Sequence, residues 1–360
     1  MKQNILIDTI KTFISSDSTT DDDFNDLAIT IFAYQYENNL PFRQFSMQQG
    51  KVPRTAKTWK DIPPVPINVF KSVLLSCSKE TRYGRTFMTS GTTKKGIHGK
   101  SYHPTLEIYD QSMIKNFKNR FMKEKDTLEM GILFPDEEVM PNSSLAHYLT
   151  LALKHFGTKS SGFRLNQNGI NFQKIFEDLE YSQSTGTQYA MLGASSSIVH
   201  LVDEMIKINK TYKLPLGSKI LDTGGFKGNS RHLGPDEFYD QLSNTFGIPR
   251  KNCINMYGMT ELSTQFYDNG NEVSPSIKTG PHWIKSRVIN PLTKADVFKG
   301  STGILVHCDL AHFNIVSSIL TEDTGIELDN GFLLLGRAGA KEAKGCSMAV
   351  DEFLRATQNS

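Results

Sequence analysis

Between residues 128 and 256 the chain alternates short apolar runs with longer amphipathic stretches, and this alternation limits the fold more than any other feature. Residues 128–134, 189–192, 219–221 and 253–256 read as strands. Residues 143–156, 196–208 and 235–246 read as the helices between them. Strands separated by helices of this length imply βαβ units and a mainly parallel sheet. Upstream, residues 86–88 form a short apolar run that ends in a Ser/Gly/Thr loop, and residues 105–122 read as a helix. After residue 280 the helical patterns stop, and residues 284–289, 303–307 and 332–335 read as short strands with turns between them. The expected fold is therefore α/β, with a small C-terminal β subdomain attached to the α/β body.

The first 84 residues read as a helical and extended segment packed on the main domain. Within it, residues 21–38 form an amphipathic helix, and the Asp21-Asp22-Asp23 run suits the positive end of its dipole as a cap. Pro63, Pro64 and Pro66 exclude regular structure there and suggest a rigid connector. The remaining expected boundaries are 85–280 for the core, 281–335 for the β-rich subdomain and 336–360 for a short tail carrying Cys346.

Composition narrows the function. Apolar residues make up 38% and charged residues 22%, enough for a packed core. Lys plus Arg (40) nearly balance Asp plus Glu (38), and no basic stripe stands out, so nucleic acid is not an expected partner. Nothing approaches about 18 consecutive apolar residues, so no membrane span is expected. The N-terminus lacks the small-residue cleavage site of a signal peptide, and a cytoplasmic location follows. Cys77, Cys253, Cys308 and Cys346 are far apart with no CxxC pair, which argues against zinc or a disulfide framework.

Five segments carry possible chemistry. Thr89-Ser90-Gly91-Thr92-Thr93-Lys94-Lys95-Gly96 is a loop of hydroxyls, glycines and lysines suited to phosphate, although it lacks Walker A spacing and also fits an ordinary surface loop. Asp222-Thr223-Gly224-Gly225-Phe226 follows a strand, where open α/β sheets place ligands, or it is a tight turn. Tyr257-Gly258-Met259-Thr260-Glu261 also follows a strand, and a carboxylate beside a polyphosphate can hold Mg²⁺. Thr321-Glu322-Asp323-Thr324-Gly325 and Gly336-Arg337 complete the set. His98, His103 and His147 show no metal-ligand spacing, and Gly193-Ala194-Ser195-Ser196-Ser197 fails the GxSxG pattern of a nucleophile elbow.

Taken in order, these segments resemble the adenylate-forming superfamily of acyl-CoA synthetases, luciferase-like ligases and adenylation domains, over residues 85–345. The stretch from Gly336-Arg337 to Gly345-Cys346-Ser347 resembles its acyl-protein synthetase (LuxE-like) branch. The resemblance implies an adenylate-forming large domain with ATP and Mg²⁺ as cofactors. Thr89, Ser90, Gly91, Thr92 and Thr93 would hold the ATP phosphates, with Lys94, Lys95 or Lys100 as the loop lysine. Gly224, Gly225 and Phe226 would lie along the adenine, with Tyr257 and Gly258 flanking it. Thr260 would contact phosphate, Glu261 would hold Mg²⁺, and Asp323 and Arg337 would bind the ribose region. His147 lies roughly where the superfamily keeps a residue near the acyl pocket. Most superfamily members continue past the Gly-Arg element into a small mobile domain with a catalytic lysine. This chain stops at Ser360, so that domain is expected to be missing, as in the LuxE-like branch.

The implied activity is a ligase that activates a fatty acid as acyl-AMP and moves the acyl group to a cysteine, for delivery to a fatty-acyl reductase. Cys346 is the candidate: it follows Gly345, stands nine residues after Arg337, and has Lys341 and Lys344 nearby to lower its pKa. The alternatives are an acyl- or aryl-CoA ligase and a non-catalytic nucleotide- or acyl-binding subunit.

Overall fold

The structure is a computed structural model that describes residues 3–78, 84–89, 97–225 and 233–358. Two compact units emerge. One comprises Asn116–Gly258 and Gln265–Lys278, and the other comprises Met1–Lys115, Met259–Thr264 and Thr279–Ser360. The N-terminal helices, the β-rich stretch and the C-terminal segment thus share one unit.

The first unit is built on the expected parallel sheet. Gly162–Phe163, Glu129–Leu133, Tyr189–Ala194, Lys219–Thr223 and Cys253–Tyr257 lie side by side in that order, all parallel, and Phe266–Tyr267 adds an antiparallel edge. The register pairs Met191 with Ile220 and Ile220 with Cys253. The helices Ser144–Phe156, Ser195–Lys207 and Pro235–Phe246 fall where the periodicity places them. Ile198, Val202, Leu242 and Phe246 share one core cluster with Met191 and Ile220. Gly247 ends its helix with a φ of +65°, a left-handed conformation that glycine adopts without a Cβ clash. The helix Phe172–Thr185 had no counterpart in the sequence reading, because Asp178 and Ser182 share its buried face with Ile175 and Leu179 and blur the apolar period. Arg164 satisfies that buried Asp178, with Nε donating to Oδ2 at 2.6 Å.

In the second unit, Ser318–Leu328 is flanked by antiparallel Thr302–Asp309 and Gly331–Arg337, and Ile284–Ile289 pairs with Thr302–Asp309. The proline-rich connector corrects one expectation. Val65–Pro66 does enter regular structure, as a two-residue strand parallel to Ile319 and Leu320. Asp21–Asn38 is capped as expected: Thr20 Oγ1 accepts from Asp23 N at 3.1 Å, while Thr20 N donates to Asp23 Oδ2 at 2.8 Å.

The C-terminal segment corrects another. Residues expected to form a tail form a helix, Ala340–Gln358. Cys346, Ala349 and Phe353 are buried at helical spacing on one face. Phe353 packs on Phe45 of the helix Leu40–Gln48, with ring centroids 4.7 Å apart. Among the described residues, no helix is long and apolar enough to cross a membrane. All four cysteines are free and buried.

Candidate active site

In the sheet-and-helix unit that holds the C-terminal helix, the strands Ser318–Leu328 and Gly331–Arg337 set Asp323 directly opposite Arg337. Arg337 Nε lies 3.3 Å from Asp323 Oδ1, and its NH1 lies 3.8 Å from Glu322 Oε2. Gly336 has a φ of +118°, a conformation that side-chain-bearing residues rarely adopt, so the glycine beside Arg337 is required by the backbone. Asp323 N donates to Thr321 Oγ1 at 3.0 Å, which fixes the strand around the carboxylate.

Glu261 is buried, with 6% of its surface exposed. Burial pushes its carboxyl up to about 7, and the Asp323 charge adds to that, while its own backbone N–H, Arg337 and Lys71 pull it down. Thr89 approaches the same carboxylate through Gly99. Thr89 N donates to the Gly99 carbonyl at 3.0 Å, and Gly99 N donates to Thr89 Oγ1 at 2.9 Å. A Cβ on Gly99 would lie 3.2 Å from Glu261 Oε1 and 3.2 Å from Thr89 Cγ2, so only a glycine leaves this approach comfortable. The unit therefore gathers Thr89, Glu261, Asp323 and Arg337. Thr260, half-buried, occupies the turn closed by Leu262 N donating to the Met259 carbonyl at 3.1 Å. Ser90, Gly91, Thr92, Thr93, Lys94, Lys95 and Phe226 lie outside the described residues. Lys100 is exposed at the start of the strand Lys100–His103.

Two groups here escaped the sequence reading. Lys71 donates to Asn68 Oδ1 at 2.6 Å, and Asn68 in turn bonds Glu322, which ties a cation to the strand of Asp323. Asp309 is fully buried and accepts four hydrogen bonds: from Ser263 N and Thr264 N at 2.8 Å, Thr264 Oγ1 at 2.8 Å and Ala311 N at 3.0 Å. It anchors the chain two residues beyond Glu261. Burial raises its carboxyl to about 6 in spite of those bonds. Nothing in the local sequence separates such an aspartate from an exposed one at a strand end.

In the parallel-sheet unit, the strand ends carry Gly224, Gly225, Tyr257 and Gly258. Buried Asp222 organises them. It accepts from Ser195 Oγ at 2.8 Å, Asn255 Nδ2 at 2.8 Å and Tyr239 OH at 3.1 Å. Burial lifts Asp222 to about 6, against the pull of the Asn255 and Ser195 bonds. Thr223 Oγ1 donates to the Met256 carbonyl at 2.9 Å, which joins the two strands just before their loops. Gly224 has a φ of +83°, and a Cβ on either Gly224 or Gly225 would meet nothing within 4 Å among the described residues. Tyr257 is buried, with its ring tilted against Phe266 at 5.9 Å, and Gly258 is exposed. His147 Nδ1 lies 2.8 Å from Glu137 Oε1. The motif Tyr257-Gly258-Met259-Thr260-Glu261 is thus divided, its first two residues belonging to one unit and its last three to the other.

Cys346 is 3% exposed, and its Sγ–H donates to the Thr321 carbonyl at 3.7 Å. The expected lowering of its pKa by Lys344 is not seen, and the Lys341 side chain lies outside the described residues. Burial pushes the thiol up to about 11, and Glu322 and Glu342 push in the same direction. The thiol points into the apolar face of its helix, while Lys344 is exposed.

Among the described residues no group of three or more His, Cys, Asp or Glu side chains is placed to hold a metal. Mg²⁺ does not need such a cage when substrate phosphates supply oxygens, and one or two carboxylates suffice. The buried Glu261 carboxylate, with Thr89 on the other side of Gly99, supplies one such oxygen ligand.

The chain matches the family described as acyl-protein synthetase, LuxE, over residues 3–355. It is 23% identical to the long-chain-fatty-acid–luciferin-component ligase of Vibrio harveyi over 337 residues, covering 90% of this chain and 86% of that protein. Among solved structures it resembles 2-hydroxyisobutyryl-CoA ligase in complex with 2-HIB-AMP and CoA, with a TM-score of 0.64 at 14% identity, covering 88% of this chain and 74% of that one. It also resembles ATP-bound MatB from Rhodopseudomonas palustris, with a TM-score of 0.51 at 15% identity, covering 70% of this chain and 47% of that one. Those likenesses establish the fold of the adenylate-forming enzymes. With the family match running nearly end to end, the chain belongs to the acyl-protein synthetase, LuxE, family.

Proposed function

We propose that the protein activates a fatty acid with ATP to acyl-AMP and pyrophosphate, then moves the acyl group to Cys346 as a thioester for an acyl reductase. The observation that carries this reading is the convergence of Glu261, Asp323, Arg337 and Thr89 in a chain of this family. The named activity of the Vibrio harveyi relative supports a long-chain fatty acid as the substrate.

In the first step a carboxylate oxygen of the fatty acid attacks the α-phosphorus. The P–O bond to pyrophosphate breaks, and pyrophosphate leaves with the bonding electrons. The acid is already ionised near neutral pH, so no base is required. The chain's task is to neutralise charge on the departing group with preorganised cations and donors. Arg337 and Asp323 would orient the ribose, and Thr89 and Thr260 would donate to phosphate oxygens. Glu261 would hold Mg²⁺, whose contribution when bound is to offset phosphate charge.

In the second step the Cys346 sulfur attacks the acyl carbon. The S–C bond forms, the C–O bond to AMP breaks, AMP departs with the electrons, and the thiol proton passes to solvent. A thiol near 11 is ionised in only about one molecule in ten thousand at pH 7. Transfer therefore requires the helix Ala340–Gln358 to leave its seat and bring Cys346 into a wetter setting.

The test is fatty-acid-dependent exchange of labelled pyrophosphate into ATP, run with and without CoA. Exchange without CoA, accompanied by label on the protein, is expected. Label appearing only on added CoA would support a CoA ligase instead, and no exchange with any acid would leave a binding subunit.

A further inference from the structure

A cavity of about 310 Å³ lies beside the C-terminal helix, wholly within the unit that carries Cys346. Its walls include Phe45, Ile62, Pro63, Pro64, Ile289 and Leu320, together with Ala349 of the helix itself. That volume falls at the small end of ligand pockets, about 300–1,000 Å³.

Three of those wall residues also belong to the apolar cluster around Cys346. Ile289, Leu320 and Ala349 pack with Cys346, and Ala349 is one helical turn further along the same buried face. The cavity and the Cys346 cluster therefore share a wall, although Cys346 itself does not line the cavity. The charged residues that also line it are paired among themselves, Lys51 with Asp61 at 2.9 Å, Lys60 with Asp296 at 2.8 Å, Arg287 with Asp296 at 2.9 Å and Lys294 with Glu352 at 2.5 Å, although the buried Arg287 Nε keeps no hydrogen-bond partner among the described residues. With those charges largely offset by one another, the apolar part of the lining is left to select the ligand. Pro63 and Pro64 add apolar surface without backbone N–H groups that would need partners.

We propose that this cavity houses the acyl chain while it is carried on Cys346. The proposal rests on the reading of Cys346 as the acyl acceptor. A long alkyl group on a surface thiol would stand in water, at a free-energy cost that grows with each methylene. A thioester at Cys346 with the helix reseated can instead run its chain past Ala349 and between Leu320 and Ile289. The seat of the C-terminal helix then serves two purposes: it covers the thioester against hydrolysis and reads the length of the acyl group. Ala349 is the specificity-determining position, because any larger side chain there would extend into the cavity.

The experiment acylates the full-length wild-type protein with ATP and a fatty acid bearing a diazirine at its chain end, followed by irradiation and peptide mapping. Cross-links within residues 45–64 or 287–296, or to Leu320, Ala349 or Glu352, are expected. Label on Cys346 with chain-end cross-links only elsewhere would overturn the cavity and leave the acceptor reading intact. Absence of any label on Cys346 would remove both. As a second arm, Ala349→Phe should lower the ratio of long-chain to short-chain label on Cys346 by about tenfold, the effect of roughly two methylenes left in water. An unchanged ratio in a protein that melts like wild type would also overturn the proposal.

Discussion

Cys346 donates its thiol hydrogen to the carbonyl of Thr321, 3.7 Å away and two residues before Asp323 on the same strand. The helix that carries the candidate acyl acceptor is thus seated on the strand that carries the candidate ribose ligand. Seating and reactivity oppose each other: the burial that comes with docking the helix also pushes the thiol up to about 11. Acyl transfer and helix docking are expected to alternate rather than coexist.

Glu261→Gln should abolish pyrophosphate exchange while keeping the fold, since it removes a charge without changing shape. The pH dependence adds a second readout. The folded pKa of Glu261, about 7, is above the ordinary 4.5, so the folded protein binds this proton more tightly than the unfolded chain does. Its contribution to stability is full below about 4.5 and is lost as pH rises through 7, about 3 kcal/mol at most. Between pH 5 and 7.5 the wild type should lose stability relative to Glu261→Gln in thermal melts. Parallel curves would show that Glu261 titrates like an exposed carboxylate.

Asp323→Ala should mainly weaken ATP binding. Losing a charged hydrogen bond to the ribose is worth about 1.5–3 kcal/mol, or roughly ten- to a hundred-fold in Kd. Calorimetric titration with ATP is the measurement, and an affinity within twofold of wild type would take Asp323 out of the nucleotide site.

Asp309→Asn should destabilise the protein by about 1–3 kcal/mol, because each carboxylate oxygen accepts two of the four bonds and the amide nitrogen that replaces one of them can accept neither. Exchange should slow as well, since Ser263 and Thr264 hold the chain just past Glu261. Denaturant unfolding and an exchange assay on the same sample would check both, and a slowed exchange with unaltered stability would contradict this account.

Lys278→Met tests the strand ends that carry the glycine loop. Lys278 pairs with Asp268 at 2.7 Å, and both side chains are almost fully buried. Asp268 also accepts from Asn255 N at 3.1 Å. Removing the cation leaves a buried charge, an effect of about 3–5 kcal/mol. Urea unfolding should show that loss, and a change below about 1 kcal/mol would mean that the pair is exposed to water.

The parallel sheet was legible because apolar run length and helix period both survive in single residues such as Ile220, Leu221, Ile198 and Val202. The glycine and Tyr-Gly-Met-Thr-Glu segments were legible because they follow strands. The C-terminal helix was hidden because its buried face includes the small residues Cys346 and Ala349, which give a weak apolar signal, and because Gly345 reads as a break. A Cβ on Gly345 would strike Pro291 at 2.7 Å, so that glycine marks close packing and not a turn. The roles of Asp309 and Asp222 were hidden because their partners, such as Ser263 and Ser195, are far away in the sequence, and that of Lys71 because it reaches Glu322 only through Asn68.

The most direct test of the two-step account is Cys346→Ala, incubated with ATP and radiolabelled long-chain fatty acid beside the wild type. The wild type should carry hydroxylamine-labile label. The variant should exchange pyrophosphate at the wild-type rate yet carry no such label. Equal labelling of the two proteins would place the acyl group on another residue, and loss of exchange along with the label would make Cys346 structural and contradict the account.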